Sequence, residues 1–234
     1  MLPLALLAGG LATRLRPLTE HIPKSLVEVA GRPFIAHQLE YLGTQGIDDV
    51  VVCIGHLGAM IQAVVGDGHQ FGVRVRYSSD GPVPLGTGGA LRQALPLLGD
   101  AFFVMYGDSY LPICLAEVET AFLGAAQPAL MTVYKNDGKF DVSNVIFVDG
   151  VIQCYDKKNR QSSMNYIDYG LSVLSRKILQ NYREGTVFDI SDVFSVLSLQ
   201  QQLAAFETFS RFYEIGSYQG LQEMQVLMTS GASK

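Results

Sequence analysis

The residues Asp49–Ile54, DVVVCI, limit the fold of this chain more than any other stretch. A strand with one face in water alternates apolar and polar side chains. Here the apolar residues follow one another without a break, as in a strand of a parallel sheet covered on both faces. Residues 4–8 (LALLA) and 101–105 (AFFVM) have the same character. Between them, residues 34–45 carry Phe34, Ile35, Leu39 and Leu42 at helical spacing, with Pro33 at the start and Gly46 as the stop. Residues 57–65 read as a second helix and residues 73–78 as a further strand. The order strand, loop, helix, strand, helix, strand implies right-handed crossovers and a parallel sheet, with ligands outside the carboxyl ends of the strands.

Composition narrows the class. At 234 residues the chain builds one sizeable α/β core, and 48% hydrophobic with 17% charged residues describes a folded enzyme. A net charge of -5 argues against a nucleic-acid partner, and no apolar run is long enough to span a membrane. Cys53, Cys114 and Cys154 lack metal-type spacing and read as small buried hydrophobes, which fits a reducing cytoplasm.

The chemistry gathers where the first strand ends. Gly9 and Gly10 let the backbone turn and approach a ligand, and Arg14, Arg16 and Lys24 follow. Backbone amides and cations in that order make a cradle for phosphates. An ordinary strand and loop fits the same residues. A secretory leader does not, because the cations come after the apolar run, and a dinucleotide turn lacks its G-x-G-x-x-G spacing. Residues 9–19, GGLATRLRPLT, with Pro23-Lys24, resemble the signature G-G-x-G-T-R-L-x-P-x-T and P-K of the sugar-1-phosphate nucleotidylyltransferases. Ala12 stands where that family has Gly.

Three further stretches extend the likeness. Residues 80–90, DGPVPLGTGGA, read as a loop leading to a helix over 90–98, either a surface turn or a platform for a base and ribose. They resemble the family's L-G-T-A/G-G-A segment. Asp108, at the end of the strand 101–105, is either a cap or a ligand for a hard cation, and Gly107-Asp108 resembles the family's G-D. In residues 213–217, YEIGS, Glu214 stands where the family places its second magnesium-binding Asp. Asp156-Lys157-Lys158 and Tyr169-Gly170-Leu171 are similar to the family's sugar-phosphate segments, although Lys157 fits a solvated lysine equally well.

The resemblance implies a Rossmann-like three-layer α/β/α fold with a mostly parallel sheet and a small β-rich sugar-binding subregion. One nucleotidyltransferase domain would cover 1–234: a nucleotide half at 1–135, a sugar-phosphate half at 136–210, and a metal-ligand strand end with a terminal helix at 211–234. It implies that Arg14, Lys24 and Asp108 are catalytic. Leu7, Ala8, Gly9, Gly10, Thr13, Asp80, Pro84, Gly86, Thr87 and Gly88 would bind the nucleotide, and Lys157, Tyr169 and Gly170 the sugar phosphate. Asp108 and Glu214 would hold Mg²⁺. The reaction would join a nucleoside triphosphate to a sugar 1-phosphate with release of pyrophosphate, in a cytoplasmic enzyme, as a monomer or homo-oligomer. GTP with mannose or heptose 1-phosphate is one pair and UTP with a cell-wall sugar another. Glu214 also keeps open a non-catalytic nucleotide-sugar binder, and the middle section a transferase acting on a non-sugar phosphate.

Overall fold

The apolar runs form strands and the amphipathic stretches form helices in a computed structural model that describes residues 1–10 and 13–230, the side chain of Thr13 excepted. β1 (Leu4–Leu7) is followed by a short antiparallel pair, β2 (Glu28–Val29) and β3 (Arg32–Pro33). Next come α1 (Phe34–Thr44), β4 (Asp49–Ile54), α2 (Gly58–Val65), β5 (Arg74–Ser79), α3 (Gly86–Ala94) and β6 (Ala101–Tyr106). The strands β5, β4, β1 and β6 lie side by side and all run parallel. Leu7 pairs with Cys53 on one side and Tyr106 on the other, so three carboxyl ends finish level.

Both faces of this sheet are covered, as the unbroken apolar strands require. Val50 and Val52 of β4 join a core with Ile35 and Leu39 of α1 and Ile61 of α2. Val51 and Cys53 join another with Leu91 of α3. Cys53 is buried as expected, but Cys154 is half-buried and Cys114 is exposed at the start of a helix. A surface cap position, not a core position, accounts for Cys114.

The chain continues through β7 (Ser109–Tyr110), α4 (Leu115–Gly124), β8 (Ala129–Lys135), β9 (Val145–Val148), β10 (Val151–Tyr155) and β11 (Tyr166–Ser175). Then follow α5 (Ile190–Leu199), β12 (Leu203–Thr208), β13 (Tyr213–Glu214) and α6 (Tyr218–Thr229). Asp149 and Gly150 turn β9 into β10 with positive φ at both, the geometry a tight hairpin needs. β11 lies antiparallel between β6 and β8, and β12 runs parallel to β8. The β-rich middle is therefore continuous with the central sheet. α6 docks through Met224 in a small cluster with Val29, Phe34, Tyr110 and Ile215. Among the described residues no helix is long and apolar enough to cross a membrane.

Candidate active site

The level ends of β1, β4 and β6 open onto a cavity of about 370 Å³. The loops leaving them are pinned together: Ala8 N–H donates to Cys53 C=O and Gly107 N–H to Leu7 C=O, both at 2.9 Å. Space is tight there. A Cβ on Gly107 would come within 2.9 Å of the Leu7 carbonyl, and one on Gly9 within 3.1 Å of the Gly55 amide. Glycine is what lets these strand ends meet. Leu7, Ala8, Gly9, Gly10, Arg14, Lys24, Asp80, Pro84, Gly86, Thr87 and Asp108 all border the cavity. Ala12 and the side chain of Thr13 lie outside the described residues.

The glycine stretch departs from expectation. Residues 86–89 are not a loop before a helix: α3 begins at Gly86, and the turn after it is a 3-10 segment, Leu95–Leu97. The physical reason is tertiary. A Cβ on Gly86 would lie 2.5 Å from the Phe188 carbonyl, one on Gly88 2.3 Å from the Phe188 ring, and one on Gly89 2.4 Å from the Thr186 carbonyl. These glycines let the segment before α5 seat against α3, which offsets their poor helix propensity. Gly88, expected at the nucleotide, is turned to Phe188. Thr87 faces the cavity and ties α3 to α5: its hydroxyl donates to Asp189 Oδ1 at 3.0 Å and accepts from Ile190 N–H at 2.9 Å. Asp189 also caps α5, accepting from Ser191 N–H. Across the cavity, Asp80 Oδ2 accepts from Leu85 N–H at 3.1 Å. Burial pushes the Asp80 carboxyl above its ordinary value, partly opposed by that amide.

At the other end two carboxylates meet one lysine. Asp108 follows β6, and the pairing of β13 with β7 sets Glu214 opposite Ser109, with Ile215 N–H donating to the Asp108 carbonyl at 2.9 Å. Lys24 Nζ lies 2.5 Å from Asp108 Oδ2, with side-chain exposures of 15% and 27%. A Cβ on Gly216 would meet both Glu214 Oε1, at 3.0 Å, and Lys24 Nζ, at 3.3 Å, so the Glu214 carboxylate flanks the same point. Burial and then the charge of Asp108 push the Glu214 carboxyl up, while Lys24 and Arg14 pull it down. The extra methylene of Glu214 does not carry its carboxylate away from this pair. Among the described residues no cluster of three or more His, Cys, Asp or Glu could hold a metal ion. Two carboxylates suit a hard cation that completes its shell with phosphate oxygens and water.

The sugar-phosphate candidates divide. Lys157 Nζ stands 5.4 Å from the ring centre of Tyr106 and 3.9 Å from Asp168 Oδ2. Gly170, at φ +98°, borders Ser109 and Tyr106. Tyr169 does not join them. Strand alternation sends its side chain to the opposite face, where it is 2% exposed and packs with Phe212 and Tyr134. Asp168 and Ser25 were not anticipated. A carboxylate inside an apolar strand, YIDYGLSVL, is the sequence signal for Asp168. Ser25 borders the cavity with a buried hydroxyl that has no hydrogen-bond partner among the described residues, and only its position beside Lys24 hints at it.

Comparison with known proteins places this geometry. Residues 5–229 match the family model described as nucleotidyl transferase. The chain is 28% identical over 217 residues to the mannose-1-phosphate guanylyltransferase catalytic subunit beta of Xenopus tropicalis, covering 90% of this chain and 60% of that protein. It is 29% identical over 178 residues to D-glycero-alpha-D-manno-heptose 1-phosphate guanylyltransferase of Campylobacter jejuni, covering 76% and 77%. The structure of HddC from Yersinia pseudotuberculosis complexed with GMP-PN matches with a TM-score of 0.82 at 26% identity, over 97% of this chain and 100% of that one. The chain thus spans 60% to 65% of the length of the mannose-1-phosphate guanylyltransferases it matches. The family match covers nearly the whole chain, which therefore belongs to the nucleotidyl transferase family, that of the sugar-1-phosphate nucleotidylyltransferases.

Proposed function

We propose that this chain transfers a guanylyl group from GTP to a mannose or manno-heptose 1-phosphate, releasing pyrophosphate. The observation that carries the reading is the convergence of Gly9, Gly10, Arg14, Lys24 and Asp108 on one cavity, with Glu214 beside them. In the reaction a phosphate oxygen of the sugar 1-phosphate attacks the α-phosphorus. A P–O bond forms, the bond to the β-phosphate breaks, and pyrophosphate leaves with the electron pair. The substrate brings its own nucleophile, so the protein's task is positioning and charge neutralisation. Arg14 faces the leaving phosphates and Lys24 the α-phosphate. Asp108 and Glu214 would hold Mg²⁺, which when bound neutralises phosphate charge beyond what the two cations supply. Lys157 receives the phosphate of the sugar.

Asp80 supports guanine over uracil. With Oδ2 occupied by Leu85 N–H, Oδ1 is left to accept a base edge. Guanine offers an N–H beside an exocyclic amino group, whereas uracil flanks its single N–H with carbonyls that repel a carboxylate. The test is pyrophosphate release with Mg²⁺, four nucleoside triphosphates crossed with a panel of sugar 1-phosphates. GTP with mannose or manno-heptose 1-phosphate is the expected pair. Release only with UTP would overturn the guanine reading, and triphosphate binding with silence across the panel would replace the enzyme with a nucleotide-sugar binder.

A further inference from the structure

We infer that Asp168 is a positioning residue whose buried carboxylate fixes the ammonium of Lys157 beside Tyr106, a residue that borders the cavity. The inference rests on the reading that Lys157 receives the sugar's phosphate.

The argument starts from β11. Its residues Ile167, Tyr169, Leu171 and Val173 all enter the core beneath α1 and α4, which turns Asp168 and Gly170 to the other face. The Asp168 side chain is 4% exposed, and a carboxylate buried that deeply is costly unless its oxygens are satisfied. They are satisfied from within the protein. Oδ1 accepts from Gly170 N–H at 3.0 Å, and Oδ2 accepts from Tyr155 Oη at 3.4 Å and faces Lys157 Nζ at 3.9 Å. The backbone of Asp168 is itself anchored, its N–H donating to Asn144 Oδ1 at 2.9 Å. Gly170 itself has a left-handed φ of +98°, a conformation that favours glycine and explains its presence without a sugar contact.

With its oxygens engaged inside, Asp168 acts through Lys157. The lysine has the opposite character: its side chain is 41% exposed, on a flexible four-carbon stem. The ammonium is held by Asp168 and by the rings of Tyr106 and Tyr155, 5.4 and 5.9 Å away, with the charge of Asp189 also favouring it. Tyr106 directly precedes Gly107-Asp108, so this cage sets the Lys157 charge relative to the strand end that carries Asp108. A cation held in place before the sugar phosphate arrives loses less freedom on binding.

The test uses the full chain with the triphosphate and sugar 1-phosphate that react fastest in the panel above. Asp168→Asn keeps an oxygen for Gly170 N–H and removes only the charge. The expected result is a rise of about tenfold in KM for the sugar 1-phosphate, the scale of one charge-assisted contact, with kcat and the KM for the triphosphate within about twofold of wild type. In a Lys157→Ala background the same substitution adds nothing, because the two act as a unit. Should Asp168→Asn fail to fold, Tyr155→Phe removes the hydroxyl that steadies Oδ2 and keeps the ring; a rise of roughly threefold in the same KM is expected. An unchanged sugar-phosphate KM in these variants, beside a raised one in Lys157→Ala, overturns the inference alone. An unchanged KM in Lys157→Ala overturns the phosphate role of Lys157 and the inference together. Equal losses for both substrates would reduce Asp168 to a packing role.

Discussion

Lys24 is the residue on which the proposed chemistry depends most, and Lys24→Met removes its charge while keeping its bulk. At an effective dielectric constant of about 20, unit charges as close as Lys24 Nζ and Asp108 Oδ2 attract by several kcal/mol, on the order of 7. Desolvation and the partial exposure of both groups cancel most of that, leaving a net loss of about 1–3 kcal/mol of folding stability. Turnover falls further, by roughly 10²–10³ or about 2.7–4 kcal/mol, if the lysine neutralises charge developing on the α-phosphate. The variant also carries a pH signature. Lys24 holds the Glu214 carboxyl down against burial and Asp108. Without it the folded-state value rises further, and a raised carboxyl adds stability at low pH that is lost as pH climbs through the folded value. Lys24→Met should therefore lag wild type more at about pH 8 than at about pH 5 in thermal melts. Calorimetry without nucleotide should show Mg²⁺ binding tighter to the variant, since the lysine no longer competes for both carboxylates. Turnover within about threefold of wild type would refute the role given to Lys24.

Other outcomes follow from single contacts. Asp80→Asn should raise the KM for GTP by about tenfold or more, the scale of a lost charge-assisted contact, and leave the sugar-phosphate KM alone; equal KM for GTP in both proteins would remove Asp80 from base reading. Gly88→Ala drives a methyl into the Phe188 ring and should cost about 1–3 kcal/mol in denaturant unfolding, with much of the loss relieved by Phe188→Leu. Tyr169→Phe removes a buried hydroxyl with no hydrogen-bond partner among the described residues, so stability should hold or rise by up to about 1 kcal/mol. Its KM for the sugar 1-phosphate should not move; a clear rise would return Tyr169 to the sugar site.

What could be read from the sequence was whatever local pattern determines. The unbroken apolar strands gave two covered faces, and Gly9, Gly10, Arg14 and Lys24, grouped by their nearness in the chain, do border one cavity. The order of the strands within the sheet was not legible. The period of β11 says that it is a strand, but not that it enters antiparallel between β6 and β8, because pairing partners leave no local trace. Residues 86–89 misled for a related reason: glycine reads as a loop residue, and only the packing of Phe188 shows why a helix accepts it. Asp168 went unnoticed because neighbouring Tyr169 and Gly170 carried the resemblance, while its own partners, Tyr155 and Lys157, come from another strand end.

The two-residue ladder between β7 and β13 has a consequence for biosynthesis. A nascent chain that has emerged through β12 already carries Gly9, Gly10, Lys24, Asp80 and Asp108, yet it lacks Glu214. Only when β13 pairs beside Ser109, and α6 settles on Val29, Phe34 and Tyr110, does the second carboxylate arrive. The residues that border the cavity on the β1 loop, α3 and the end of β6 are thus made early, and the second carboxylate is made last.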